Sequence, residues 1–299
     1  MNLSITYILQ QIINALSMGS MLALLAVGYT MIYGVMGLIN FAHGEVFMIG
    51  AFTAYFAMSF MGMSLWLALP LAIIASVIVG ILLEKFCYRP VSGSGDITLL
   101  ITSFAASFGI RSLFIMFLGS RSKSFPKPEF LQGIHFVNNI LISDLNIAIF
   151  IITIIITVVL YLFVKNTDLG IAMRGVSYNK TTAEAMGINS NIVILATFVI
   201  GSALAAIAGV AWGLQYGSIQ PSMGYLPGLN GFIAAVLGGV GNIAGAAVGG
   251  FIIGIGQILF VAFLPPAFSG FRPLFVWMIL FVILFVKPSG LFKSNRKWE

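Results

Sequence analysis

Few side chains in this sequence can carry chemistry, and they sit in unusual company. Glu45, with Asn40 and His43 just before it, lies between two long apolar runs, and Arg111 lies inside another. Ionisable groups within apolar segments are costly and usually mark an ion or substrate path. Asn40, His43 and Glu45 admit two readings: a hydrated loop with helix capping, or part of a translocation path and its gate. Arg111 is about two helical turns from the end of its run, so its stem allows the guanidinium to snorkel to the interface. So few carboxylates in apolar surroundings argue against a proton-driven carrier. Sodium coupling through backbone carbonyls is left open.

Enzyme chemistry finds no support. No Gly-x-x-x-x-Gly-Lys-Ser/Thr phosphate loop occurs, so no nucleotide site of that kind is expected. His43 and His135 are far apart in sequence and have no Cys or carboxylate at ligand spacing, so neither a metal nor another cofactor is expected. Ser92-Gly93-Ser94-Gly95 has a nucleophile but no base and reads as a flexible loop. The single cysteine, Cys87, cannot form an intrachain disulfide.

The most specific polar segment runs from Lys165 to about Ser190. Thr181 to Met186 has the composition of a short amphipathic helix, and Gly187 can end it in the left-handed conformation. A helix of this kind between two spans is a compact lever. A partner that moves it can move both spans.

The elements that must position these residues are set by composition. Hydrophobic residues make up 60% of the 299 and charged residues 7%, against about 25% charged in a soluble domain. The mean hydropathy is +1.09. Such a chain cannot hydrate its own surface, but a lipid-facing exterior removes that need. No charged residue precedes Glu45, and none occurs from Ala185 to Phe271. Apolar runs near 5–30, 42–62, 65–84, 97–118, 145–164, 191–213, 244–263 and 273–287 predict about eight transmembrane helices. The fold class is all-α integral membrane, a polytopic bundle with broken or re-entrant segments, in a single transmembrane domain over 1–299. The N-terminus lacks a basic region before a short apolar core and does not read as a signal peptide.

Lys and Arg set the orientation. The 85–96 loop, the 165–190 loop and the tail carry Lys85, Arg89, Lys165, Arg174, Lys180, Lys287, Lys293, Arg296 and Lys297; the 119–144 loop and 264–272 turn carry Arg121, Lys123, Lys127 and Arg272. The first group belongs in the cytoplasm by the positive-inside rule. The net charge of +6 therefore serves topology, and no nucleic acid partner is expected. Both ends of the stretch 229–263 then lie outside, so it must dip inward and return. Its middle holds Gly238, Gly239, Gly241 and Asn242, which suits either a broken pair of half-helices or close packing through small residues. A comparable interruption spans Gly34 to Glu45, and the two halves align only faintly.

Several strings resemble the permease subunits of branched-chain amino acid ABC importers, of the LivH type. They include Gly37-Leu38-Ile39-Asn40-Phe41-Ala42-His43-Gly44-Glu45, Ala172-Met173-Arg174, Glu184-Ala185-Met186-Gly187-Ile188-Asn189, Val236-Leu237-Gly238-Gly239-Val240-Gly241 and Lys287-Pro288-Ser289-Gly290-Leu291-Phe292. The resemblance runs nearly end to end. It implies import of Leu, Ile or Val by alternating access in a bacterial or archaeal inner membrane, surrounded by lipid. It also implies two ABC ATPase subunits, a second homologous permease and an extracytoplasmic substrate-binding protein. Within the 165–190 loop it assigns ATPase coupling to Arg174, Ala183, Glu184, Ala185 and Gly187, although the spacing departs from the Glu-Ala-Ala-x-x-x-Gly form of other importers. Candidate path residues are Asn40, His43, Glu45, Gly238, Gly239, Gly241 and Asn242. Alternatives are a permease for urea, short amides or sugars, or an autonomous channel or ion-coupled carrier.

Overall fold

The computed structural model describes residues 5–137 and 140–292. Each of the eight apolar runs forms a helix: α1 (Ile5–Met36), α2 (His43–Ser59), α3 (Leu65–Leu82), α4 (Asp96–Leu118), α5 (Asp144–Asn166), α8 (Ser190–Tyr216), α10 (Ile243–Phe263) and α11 (Arg272–Val286). Three more helices complete the series: α6 (Asp168–Tyr178), α7 (Lys180–Ala185) and α9 (Tyr225–Gly238). Among the described residues, six helices are long and apolar enough to cross a membrane. Helix α2, with 17 residues, and α11, with 15, fall short of the roughly 20 residues a full crossing requires. Lys293, Arg296 and Lys297 lie outside the described residues.

The loops fall into two groups at opposite ends of the bundle. Gln10 exchanges hydrogen bonds with the backbone of Leu141. Two-residue strands β1 (Lys123–Ser124) and β4 (Ser218–Ile219) pair antiparallel. Strands β2 (Ile134–Val137) and β3 (Ile140–Ser143) form a second small ribbon. All of these lie at one end of the bundle, the outer one by the positive-inside rule. At the other end, Thr30 and Gly34 of α1 share a cavity with Lys165, Arg174 and Gly241. His135 is not without a carboxylate partner, as its sequence spacing suggested. The β2–β3 turn returns it to Asp144, with Nε2 2.7 Å from Oδ1.

Helix α1 is the axis of the bundle. Its most apolar window is 94% buried, whereas those of α4 and α5 are each 17% buried, so α1 is packed by protein and α4 and α5 face outward. It extends past the expected 5–30 because apolar residues continue to Met36, and Gly37 at φ 73° then ends it. Small residues set its contacts. A methyl group on Gly250 would strike the backbone of Ala23, and one on Gly254 the backbone of Gly19. Gly249 packs in the same way on the Ala234 carbonyl of α9. Without a hydrophobic drive between helices in lipid, such backbone proximity supplies the packing energy.

The stretch 229–263 resolves both readings of its glycines. It is a helical hairpin, α9 and α10, broken at Gly239–Asn242 and also packed through small residues. Gly254→Val places a branched side chain against α1 backbone and costs about 1–3 kcal/mol or more. We expect its thermal unfolding in detergent to fall well below wild type. Gly93→Ala, in open space, should leave unfolding unchanged.

Candidate functional site: a mid-membrane junction and a glycine turn

Two short helices begin deep inside the bundle and share a point of origin. Gly44, in the first turn of α2, abuts Gly224 and Gly228 at the start of α9 so closely that a methyl group on any of the three would meet backbone. The depth follows from Ser107, at the midpoint of α4, whose hydroxyl donates to Glu45 Oε1 at 3.1 Å. From this junction α2 runs outward for about 25 Å and α9 inward for about 21 Å, at 1.5 Å per residue. Both helix N-termini therefore lie in the membrane interior, where unpaired backbone N–H groups carry partial positive charge.

The residues around the junction are buried, which rules out the hydrated-loop reading. Asn40 is 2% exposed, and His43 and Glu45 are both 0% exposed. After Gly37 the chain turns back into the membrane as a non-helical segment, tolerated there because protein covers it. Asn40 is held at its side chain, where the Tyr88 hydroxyl donates to Oδ1 at 2.5 Å, and the backbone N–H of Phe41 donates to Ser103 Oγ at 3.4 Å. Tyr88 ends a π-helical turn, Leu83–Tyr88, that interrupts the third span; such turns recur at functional sites. At its edge, Arg89 pairs with both carboxylate oxygens of buried Glu84 at 2.9 Å.

Beside this scaffold lies a set of polar atoms without protein partners. Tyr29 Oη, both ring nitrogens of His43 and Glu45 Oε2 are shielded and unpaired. The Tyr29 and His43 rings meet edge-on, with centroids 4.6 Å apart. Tyr29, Ser107, Arg111 and Tyr225 line one small cavity with Phe41 and Phe104. Arg111 does not simply snorkel away. Its guanidinium lies 4.6 Å from the Phe108 ring centroid and 5.1 Å from that of Tyr225 at the start of α9. Unsatisfied buried polar atoms are costly, and in a transport path they are groups that a passing polar ligand can satisfy.

The other candidate path residues lie elsewhere. Gly238, Gly239, Gly241 and Asn242 form the α9–α10 turn at the opposite end of the bundle, beside Lys165 and Arg174. Gly239 and Gly241 take φ of 106° and 83°, and Asn242 Oδ1 caps α10 by accepting from Gly245 N at 2.9 Å. Gly241 N donates to Thr30 Oγ1 of α1 at 2.9 Å. The segment around Gly290 closes the end of α9, with Leu291 N and Phe292 N donating to the Leu237 and Gly238 carbonyls. The seven residues thus divide between two places, joined by α1 and α9.

The 165–190 segment holds two helices where one was expected. The missed helix, α6, is announced by Thr167, whose hydroxyl accepts from Gly170 N. Arg174 of α6 donates to the Val164 and Lys165 carbonyls at 2.8 and 3.0 Å, welding α6 to the end of α5. Helix α7 ends as expected, with Gly187 at φ 88°. Ala183 points inward at 4% exposure. Glu184, Ala185 and Gly187 are exposed, and the Glu184 carboxylate accepts from Ser190 at the start of α8. Residues missed in sequence complete this surface: Tyr178 is 72% and Met186 79% exposed. A cavity of about 500 Å³ separates α6 from the α9–α10 turn, lined by Thr30, Tyr161, Lys165, Arg174, Tyr178 and Asn242 among others.

A membrane bundle with re-entrant half-helices, a buried polar junction and an exposed pair of short helices suits a transport permease, and the family match makes it one. The chain belongs to the family described as the permease component of the branched-chain amino acid transport system, matched over residues 11–286. It is 38% identical to the high-affinity branched-chain amino acid transport system permease protein BraD of Pseudomonas aeruginosa, covering 96% of each chain. It is 36% identical to the corresponding LivH protein of Escherichia coli, covering 95% of each. A second type of relative, the probable branched-chain amino acid transport permease protein LivM of Methanocaldococcus jannaschii, is 31% identical over 47% of this chain and 45% of its own.

Removing the Tyr88 hydroxyl leaves the Asn40 carbonyl buried and unsatisfied, a loss of about 1–3 kcal/mol. Tyr88→Phe should lower the unfolding temperature in detergent by a few degrees, about 2–4 °C per kcal/mol. An unchanged temperature would show that the re-entrant segment is held without this bond.

Proposed function

We propose that the chain imports branched-chain aliphatic amino acids across a bacterial inner membrane, as the spanning subunit of an ATP-driven assembly. The observation that carries the reading is the junction of α2 and α9 inside the membrane, in a chain of this family. A zwitterion needs no fixed counter-ion there. Helix N-termini and the unpaired atoms of Tyr29, His43 and Glu45 can meet its charged ends, while Phe41 and Phe104 face its aliphatic side chain.

Energy enters through separate subunits. One of the assembly's two ABC ATPases engages the exposed faces of α6 and α7, with Glu184, Ala185, Gly187, Tyr178 and Met186 as the contact surface, Ala183 packed beneath it and Arg174 tying α6 to α5. ATP-driven closure moves this lever against the ends of α5 and α8. Through the α9–α10 turn it reaches the junction and shifts the bundle between outward and inward access. The outward faces of α3, α4 and α5 serve lipid and a second, related permease, and an extracytoplasmic binding protein delivers substrate to the β1–β4 end.

The test is ATP-dependent uptake of labelled leucine, isoleucine and valine by the reconstituted assembly, with urea, short amides and sugars as competitors. Uptake by the purified chain alone would overturn the reading. Glu184→Lys reverses the charge beside Ser190. Gly187→Pro imposes a φ near −65° where the chain needs 88° and removes the N–H given to Glu184. Both variants should insert normally and lose at least tenfold in uptake. Retained uptake in both would refute the coupling surface.

A further inference from the structure

A second polar concavity lies across α9 from the junction and opens at the outer end. It has a volume of about 240 Å³ and is bounded by α1, α8, α9, α10 and the start of α11. That is below the roughly 300–1,000 Å³ of pockets for drug-sized ligands, and suits a smaller one.

Its contents are specific. Arg272 is the sole charged residue among those lining it. The guanidinium donates from Nε to Gln257 Oε1 at 2.9 Å, and a terminal nitrogen lies 2.7 Å from the Met18 sulfur, a weak acceptor. Among the described residues no carboxylate pairs with it; the ion pairs are Arg89–Glu84 and His135–Asp144. Gln257 is 2% exposed, and its Nε2 has no partner. The bond from Arg272 occupies the amide oxygen and leaves the amide N–H₂ unpaired. Leu226 and Pro227, in the first turn of α9, also line the cavity, so the positive end of a 14-residue helix contributes to it. The one full charge and the helix dipole here both favour an anion. The rest of the wall is mixed: Met18, Trp212, Met223, Leu226, Pro227 and Pro273 supply apolar surface, and Tyr216, Gln220, Ser222 and Asn230 are neutral polar groups, of which Tyr216 also bonds to Arg272.

We propose that this cavity is a carboxylate-recognising subsite that accepts an aliphatic amino acid from the outer side, before it reaches the α2–α9 junction. Arg272 and the Gln257 amide hold the carboxylate, since a guanidinium pairs with it through two parallel N–H bonds. The aliphatic side chain lies against Met18, Trp212 and Leu226. The choice of an amino acid rests on the function proposed above; the carboxylate chemistry does not.

The full-length protein is placed in nanodiscs of zwitterionic lipid, and ligand binding is followed by saturation-transfer NMR. The probes are leucine, 4-methylpentanoate, which keeps the carboxylate, and isopentylamine, which lacks it. Leucine and 4-methylpentanoate should bind saturably and isopentylamine should not. Arg272→Gln should weaken binding at least tenfold, with Arg272→Lys between it and wild type. Ser222→Trp, at the exposed rim, should block binding while leaving Arg272 and Gln257 in place. Equal binding of isopentylamine, or binding unaffected by both Arg272→Gln and Ser222→Trp, would overturn the subsite. Loss of carboxylate binding on adding anionic lipid would overturn it in favour of a lipid headgroup. Parallel ATP-dependent uptake separates the two proposals. Leucine uptake with no carboxylate binding removes the subsite alone. Carboxylate binding with no uptake of branched-chain amino acids removes the transport reading alone.

Discussion

Two helices of this protein start inside the membrane, and everything else follows from what such a start demands. Backbone N–H groups at a helix N-terminus have no partner within the helix, and the bilayer interior offers no water to replace one. Gly44, Gly224 and Gly228 let the two starts meet at backbone distance. Ser107, Tyr29 and Glu45 then surround the meeting point with polar groups. A side chain on any of the three glycines would separate the starts, and the polar groups would lose what they surround.

The rest of the bundle keeps that junction in place and connects it to the α9–α10 turn. Helix α1 runs past both ends of the arrangement, with Gly28 beside His43 and Thr30 bonded to the α9–α10 turn. Its length of about 48 Å, at 1.5 Å per residue, exceeds the roughly 30 Å hydrocarbon layer. Helix α9 connects the same two places directly. Arg174 ties α6 to the last carbonyls of α5. A cavity of about 500 Å³ lies between α6 and the α9–α10 turn.

Much of the fold was legible because membrane insertion writes strong signals. Every apolar run became a helix, and the charge pattern called for a hairpin over 229–263. The hairpin is there, but its first arm, α9, starts inside the membrane beside Gly44 and not at the outer side, because glycines let two helix starts meet at depth. The site was legible only in part. Asn40, His43 and Glu45 stood out as polar residues between apolar runs, but nothing local said whether they were wet or buried. Their burial depends on α4 and α9, far away in sequence. Tyr29 and Ser107 were invisible for the same reason, as single polar atoms inside helices of otherwise ordinary composition. Ala183 looked like part of a docking motif, yet a six-residue helix has an inner face, and it occupies that face. Gly290 to Phe292 stood out as a motif, but its work is to close the carbonyl end of α9, which spacing cannot reveal.

The central claim is that the α2–α9 junction is the point where the path opens to each side in turn. Phe104 lines the small cavity there, and Cys87 is the chain's one cysteine, so Phe104→Cys in a Cys87→Ser background places a single probe at that point. In the reconstituted assembly a membrane-impermeant thiol reagent should label it from one side without nucleotide. When ATP is trapped it should label from the opposite side. A probe that is never labelled, or is labelled from the same side in both states, would contradict the account.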